Sequence, residues 1–461
     1  MSRSRLIFLP FVAILFGLVV GPYYSTKSAS LPGSQAPGLA PPLPSMYLLG
    51  PEVQISTPST PIDANRYKPA VAYNYMHKEF LVVWQNEWSG SWDIYAQRVS
   101  LAGQKVGSWF CITTGAEDRI QPAVAYNANN DEYLIVWMKE ASSNVYEIWG
   151  RAITWNNSSQ KVEKQIITFT NRSFYGPRVA WNSIRNEYMV VWNAFDATTG
   201  FPPGVPVDIA GARASGDWST IYTSNILTSD SGPHQVDITY NVAMNEYFLA
   251  FVVVHTMATS GNDIYGLRVN GVTGTPVNPP GPIEIYKDDY DGGRKHQNHP
   301  AVATNEQNKY MVVWEHEYDA TDHDIYAREY NVDGTPVGSY FTISSWTEDD
   351  TVPALSAYGA SNEWMAVWQR DLGGGAGYSI HGYRWGSAGS HVYSYMFDVG
   401  KAVFWEYKSP VVAAGPANYL IAYELKKPPA AAPEQATLTT SQHIYGRIWL
   451  PEPVFLPLVI R

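Results

Sequence analysis

Acids, bases and amides in this 461-residue chain gather in short polar stretches between apolar ones. Glu87, Glu140, Asp196, Glu317 and Asp371 follow apolar segments that end in an aromatic residue, while Asp118, Arg119, Arg172, His234, His296 and Asp350 stand just before the next apolar segment. Two such carboxylates, brought to a sugar from opposite sides, could act as general acid and base. The same groups, spread over a surface, could hold a protein or glycan by hydrogen bonds, or could be no more than solvated loop charge. Spacing along the chain fixes no distance among them. Asp288, Asp289 and Asp291, in the run Lys287 to Gly293, offer hard oxygen ligands on a flexible Gly turn, which suits Ca²⁺. Their spacing is not that of an EF-hand. The chain has no Gly-x-Ser-x-Gly elbow, phosphate loop, dinucleotide fingerprint or zinc-type His pairing.

The elements that must position these groups repeat. Tyr188-Met189-Val190-Val191-Trp192 has six counterparts, whose aromatic ends are Trp84, Trp137, Phe251, Trp314, Trp368 and Tyr423. Five residues with both alternating faces apolar describe an inner strand covered on each side. The aromatic ends recur every 53 to 63 residues, room for four strands and their turns. Each unit begins with a short strand such as Pro122 to Tyr126, then an Asn-containing turn such as Asn129 to Asp131 or Ala243 to Asn245. The aromatic-ended strand is second. A third has a core such as Ile94-Tyr95-Ala96, Ile264-Tyr265-Gly266 or Ile380-His381-Gly382, and a weaker fourth resembles Ile166 to Phe169 or Tyr340 to Ile343. Gly or Ala stands two places after the Ile in every third strand, which predicts a ring packed so closely there that a larger side chain would collide.

Seven four-stranded antiparallel units in tandem predict an all-β fold, a seven-bladed β-propeller over residues 51–450. The last unit has no evident fourth strand, while Val53 to Thr57 is a strand without a unit. The expectation is that strand 53–57 completes the last blade and closes the ring, hiding an exposed edge. An Arg recurs in all third strands in two registers: Arg98, Arg213, Arg268 and Arg384 four places after the Ile, Arg151, Arg328 and Arg447 three places after. Alternation puts the two sets on opposite faces, through a bulge or toward different partners. The Asp that opens several third strands (Asp93, Asp208, Asp263, Asp324) reads as structural, accepting turn amides.

Asp93-Ile94-Tyr95, Asp263-Ile264-Tyr265-Gly266 and Asp324-Ile325-Tyr326, each after a Pro-led strand and an apolar strand, resemble TolB-type and related WD40-like propeller repeats. The likeness runs over nearly the whole chain from Val53 to Trp449 and implies a propeller, a fold that serves scaffolds, binders and some enzymes. A separate N-terminal domain and the Ser-Pro-Asp-Gly turn of TolB itself are absent. Pro451 to Arg461 is similar to Leu-Pro-Leu tails on some bacterial secreted proteins, implying sorting to the cell surface; a packed final strand is the alternative.

Composition bounds the rest. The net charge of −11 argues against nucleic acid as a partner. The single Cys111, in an apolar strand, excludes an internal disulfide. Arg3 and Arg5 before the apolar run Leu6 to Val20, with Ser28-Ala29-Ser30 beyond, lay out a signal peptide over residues 1–30, an uncleaved anchor being the alternative. Five Pro residues make 31–50 a linker, or else a strap along the folded body. The expectation is therefore a secreted or cell-surface module without a membrane span in the mature chain, binding protein or polysaccharide without a cofactor. A secreted glycoside hydrolase or lyase and a structural envelope component are the alternatives.

Overall fold

The computed structural model describes residues 48–450, apart from 57–63, 144, 168–171, 197–205, 229–232, 255–260, 278–280, 288–294, 306–307, 320, 359–362, 387–394, 417 and 428–440. The leader 1–30, nearly all of the linker 31–50 and the tail 451–461 thus lie outside the described residues. What is described is all-β. Five four-stranded antiparallel sheets follow one another, the first built from Arg66–Asn74, Glu79–Trp88, Ser91–Ser100 and Lys105–Cys111. The remaining strands form one nine-stranded sheet, in which Asp350–Tyr358, Glu363–Asp371, Tyr378–Gly386 and Tyr395–Gly400 make one antiparallel run. A single parallel pairing, Tyr378 with Glu406, joins that run to Glu406–Ala414, Tyr419–Lys426 and His443–Leu450.

The second strands are covered on both faces, as their two-sided apolar pattern predicts. Phe80 to Trp84 are at most 2% exposed, and Tyr188 to Trp192 are all at 0%. Each core lies between consecutive sheets: Leu134, Val136 and Ile148 of one pack on Tyr188, Trp192 and Ala212 of the next. Leu420, Ile444 and Ile448 share a core with Ile55, Phe80 and Trp84. The strand Arg66–Asn74 accordingly touches both Arg119–Asn127 and Glu406–Ala414.

The invariant small residue of the third strands is steric in origin. A Cβ at Gly266 would stand 2.6 Å from the Phe248 ring, at Gly382 2.4 Å from the Phe397 ring, and at Gly150 3.0 Å from Trp218. At Gly446 the obstacle is aliphatic, Ile55 Cδ1 at 2.7 Å. The two Arg registers serve different partners, with no bulge needed. Arg98, Arg213, Arg268 and Arg384 pair with Glu79, Glu187, Glu246 and Glu363 at the start of the neighbouring second strand. Arg151 and Arg328 instead donate to the carbonyls of Ile112 and Ile285 in the preceding repeat, at 2.5 and 2.9 Å. Arg447 lies 3.9 Å from Glu52.

Every first strand carries a bulge that the sequence does not announce. The register slips between Tyr67 and Ala70, Ile120 and Ala123, Tyr175 and Arg178, His234 and Asp237, Asn298 and Ala301, Thr351 and Ala354, and Lys408 and Val411. Inside each slip one residue is left-handed: Lys68, Gln121, Gly176, Gln235, His299, Val352 or Ser409, with φ from 47 to 59°. That turns its N–H out of the ladder and toward the preceding repeat. Gln121 donates to Gln85 Oε1 at 2.9 Å, Val352 to Glu315 Oε2 at 3.1 Å, and Ser409 to Gln369 Oε1 at 3.1 Å. Gly176 meets the Met138 sulfur at 3.4 Å. The acceptor in these cases is the residue just after the aromatic end of the second strand. Lys68 makes the same bond to Glu424 Oε1, 2.8 Å away in the last repeat.

The leading strand pairs with the last one. Val53 stands opposite Gly446 and Gln54 opposite Tyr445, and the Ile55 amide donates to the Ile444 carbonyl at 2.9 Å. The paired stretch is shorter than the expected 53–57, because Ile55 turns inward as a core residue; Thr57 lies outside the described residues. It also starts earlier: Leu48–Leu49, the end of the linker stretch, pairs with Leu450 and Trp449. The packing at the small residues has a measurable consequence. Gly382→Ala and Gly446→Ala each lower stability by about 1–3 kcal/mol through overpacking, read as a shift in the urea midpoint, whereas Gly→Ala at an open strand site would not.

Candidate functional site

Antiparallel order brings the ends of the second and fourth strands to one edge of each sheet, so the loops named in the sequence share a face. The structure distributes the expected residues over it. Glu87 accepts from Asn65 Nδ2 at 2.8 Å and Asp118 from the Trp92 amide at 3.0 Å. The Glu140 amide donates to the Asp118 carbonyl at 2.9 Å, and Asp371 accepts from the Gly373 amide at 2.9 Å. Arg172 pairs with Asp208 and lies opposite Asp196 in the ladder; His234 is half-buried opposite Val252. His296 and Glu317 meet directly, the His296 amide donating to Glu317 Oε2 at 2.8 Å. Two expected residues are turned inward. Arg119 is buried between Asp93 at 3.5 Å and Glu117 at 3.3 Å. Asp350 is wholly buried and takes two 2.6 Å bonds from Arg370. Asp288, Asp289 and Asp291 lie outside the described residues; among those described, no group of three or more His, Cys, Asp or Glu side chains is arranged to hold a metal ion.

A titratable cluster in the fifth and sixth repeats was not legible in advance. Glu315 follows Trp314 directly after the buried apolar run Tyr310 to Trp314, at the position that Gln85, Met138, Gln369 and Glu424 occupy elsewhere. It is 4% exposed and accepts from His299 Nδ1 at 2.9 Å as well as from the Val352 amide. His323 Nε2 stands 3.9 Å from its other oxygen, and His323 Nδ1 is 2.6 Å from Asp349. The hydrogen bond to Asp349 pushes the His323 imidazole above its ordinary value, against the effect of burial. Beside it, burial first and then the Asp322 and Asp350 carboxylates push Asp324 up to about 6. Asp93 shows the structural use of this position: it accepts from the Thr113 hydroxyl at 3.0 Å and faces Arg119. The one signal in the sequence is an acid directly after the apolar run, at a position that is neutral in most repeats.

The second feature of the face is aromatic. Tyr67 packs on Trp92 at 5.5 Å, Tyr146 on Tyr175 at 5.5 Å, and Tyr175 edge-on to Phe195 at 5.0 Å. Further round, cations cap rings: Lys295 over Tyr318 at 4.7 Å, Arg370 over Trp346 at 5.4 Å, Lys408 over Tyr378 at 4.2 Å. Tyr318 is 57% and Trp346 55% exposed, too open to be core. Rings held by neighbours, with carboxylates and ammonium groups alongside, can stack on a flat apolar patch of a ligand and bond the polar groups around it.

No protein-family model matches the chain, and no curated protein does. Among solved structures, a protein of unknown function from Dyadobacter fermentans DSM 18053 is similar at 9% identity, over 88% of this chain and 99% of that one, with a TM-score of 0.51. The chain is also similar to the β-propeller domain of the Trilobed protease from Pyrococcus furiosus, at 10% identity over 86% and 98% of the two chains and a TM-score of 0.43. A Hadza microbial sialidase is similar at 12% identity over 80% and 76%, with a TM-score of 0.44. At such identities the likeness to the Dyadobacter protein is one of fold alone.

The fifth-repeat cluster ties stability to pH. The native state holds the Asp324 proton more tightly than the unfolded chain, whose carboxyl has the ordinary value of 3.8, so this contribution is full below 3.8 and lost as pH rises through about 6. His323 adds a contribution present below 6.5 and lost as pH rises through its higher native value. The part of the thermal midpoint owed to these two groups therefore falls as pH climbs from 4 past 6.5, opposed by His443, which burial holds down at about 4. Asp324→Asn flattens the lower limb and His323→Gln the upper one; parallel curves for all three proteins would refute the assignment.

Proposed function

We propose that this chain is a secreted or cell-surface propeller of seven blades, closed by its leading strand, that binds glycan through its loop-bearing face. Seven blades follow from dividing the nine-stranded sheet at its one parallel pairing, Tyr378 with Glu406. Closure is supported by three contacts between opposite ends of the chain: Val53 with Gly446, Lys68 N–H with Glu424, and Ile55 in a core with Ile444. Export rests on the leader-like layout of Met1 to Ser30; no helix among the described residues is long and apolar enough to cross a membrane. The observation that carries the binding reading is the run of half-exposed rings on one face, Trp92, Tyr146, Tyr175, Tyr318, Trp346 and Tyr378, each held by a packed neighbour. Pyranose rings present flat C–H faces to such platforms, and their hydroxyls suit the carboxylates and amides between them.

A hydrolytic reading has one observation in its favour, the Asp324 carboxyl held at about 6, which is how a general acid is kept protonated near neutral pH. It predicts release of reducing ends from a bound polysaccharide and abolition of release by Asp324→Asn.

Two experiments address the main reading. Glu424→Leu leaves the Lys68 amide without its acceptor and costs about 1–3 kcal/mol in urea unfolding, while Glu424→Gln keeps most of that stability. Equal loss in both variants would remove the closing role of this bond. Against a polysaccharide panel the protein binds at least one glycan, and Trp346→Ala or Tyr318→Ala weakens that binding about tenfold with an unchanged melting point. Failure to bind any glycan would end the proposal.

A further inference from the structure

The rings of the face are not electrically alike. Around the fifth repeat they stand among Glu315, Glu317, Asp319, Asp322 and Asp349. Around the sixth and seventh repeats they stand among lysines, on a chain whose net charge is −11. We infer that the seam between Tyr378–Gly386 and Glu406–Ala414 is a subsite for a carboxylate-bearing sugar, within a uronate-containing polysaccharide. The inference rests on the glycan-binding reading and gives it a substrate class.

The seam is built rather than incidental. The Tyr378 amide donates to the Trp405 carbonyl at 2.9 Å, and Trp405 stacks on Tyr407 at 5.9 Å with 17° between planes. Half-buried Trp405 is thereby held against the buried Tyr407 ring and joined through the backbone to half-buried Tyr378. Lys408 Nζ lies 4.2 Å from the Tyr378 ring, and Lys427 Nζ 4.8 Å from the Trp405 ring. Lys408 and Lys426 share one carboxylate, Glu406, at 3.0 and 3.3 Å, and Lys427 reaches Glu52 only at 3.9 Å. The ammonium groups outnumber the carboxylates they touch, so an added carboxylate completes the local charge. A uronate docked at Tyr378 or Trp405 would set its C6 carboxylate against the ammonium groups that cap these rings. Phe404, 66% exposed, borders the seam and extends its apolar floor. The acidic sector around Glu315 and Asp349 repels a polyanion and steers it to this side.

The test uses the full-length protein with polygalacturonate, its methyl-esterified form, and neutral arabinan and galactan, read by isothermal titration. Polygalacturonate is expected to bind about tenfold tighter than its ester, with affinity falling as salt rises. Lys408→Gln and Lys427→Gln each weaken that binding severalfold and unfold at the wild-type temperature. Equal affinity for acid and ester, or unchanged affinity in both lysine variants, overturns the subsite. Binding to neutral glycans alone overturns it too, while leaving the glycan-binding reading intact. Binding to none of the glycans defeats both.

Discussion

The bond that six of the seven left-handed bulge amides make to the repeat before them is the constraint on which this architecture depends. Flat sheets packed face to face can slide, because apolar contact has no direction. A hydrogen bond does. By rotating one N–H out of the ladder at Lys68, Gln121, Val352 and Ser409, the first strands fix both the height and the angle at which each sheet meets the next. The left-handed backbone costs of order 1 kcal/mol at a non-Gly residue, and the interrepeat bond offsets it. Gln235 and His299 show that the geometry outlasts its usual chemistry. Val252 offers no acceptor at the regular position, and His299 donates instead to Gln235 Oε1 at 2.7 Å. A bond of the same kind joins Lys68 to Glu424, 356 residues apart.

How much of this was legible follows from where the physics acts. The second strands were readable because burial on both faces leaves no polar residue in Tyr188 to Trp192, and the third-strand glycine because its obstacle, as at Gly382 and Phe397, lies within the same sheet. The bulge was not. Its left-handed residue is Lys, Gln, Gly, His, Val or Ser with little in common, mostly before a Pro that already restricts it, and its partner lies in another repeat. The two Arg registers were visible but ambiguous, since an intrasheet Glu and an intersheet carbonyl leave the same mark in sequence. The Asn turns were half legible: the left-handed residue is Asn245 in one and Asp131 in another, with Asn127 accepting the turn amides of Asn129 and Asn130.

The site was less readable than the frame. Loop charge lies along one edge of the sheets, but Arg119 and Asp350 show that charge near a strand start can turn inward to hold that start in place. The groups with altered proton affinity, His323 and Asp324, sit on a third strand, where repetition of the Asp suggested a purely structural part. Glu315 explains the difference. At a position that is neutral in most repeats and acidic again at Glu424, an acid draws His299 and His323 toward itself, and this repeat departs electrically from most of its siblings.

That departure bears on how a repeated body acquires a function at all. Identical sheets would present the same groups all round, and an evenly decorated ring cannot orient an asymmetric ligand. Here the interrepeat acceptor is neutral at Gln85, Met138 and Gln369 but acidic at Glu315 and Glu424, and cations gather over rings where Lys408 and Lys427 replace the carboxylates found around Asp349. The frame tolerates each exchange because the bulge amide asks only for an acceptor and the core only for an aromatic end. Variation confined to positions that satisfy the same backbone demand can make the face unequal without disturbing the packing beneath it. The rigid series of sheets then serves to hold unlike sectors at fixed separation, which a flexible loop bearing the same residues could not do.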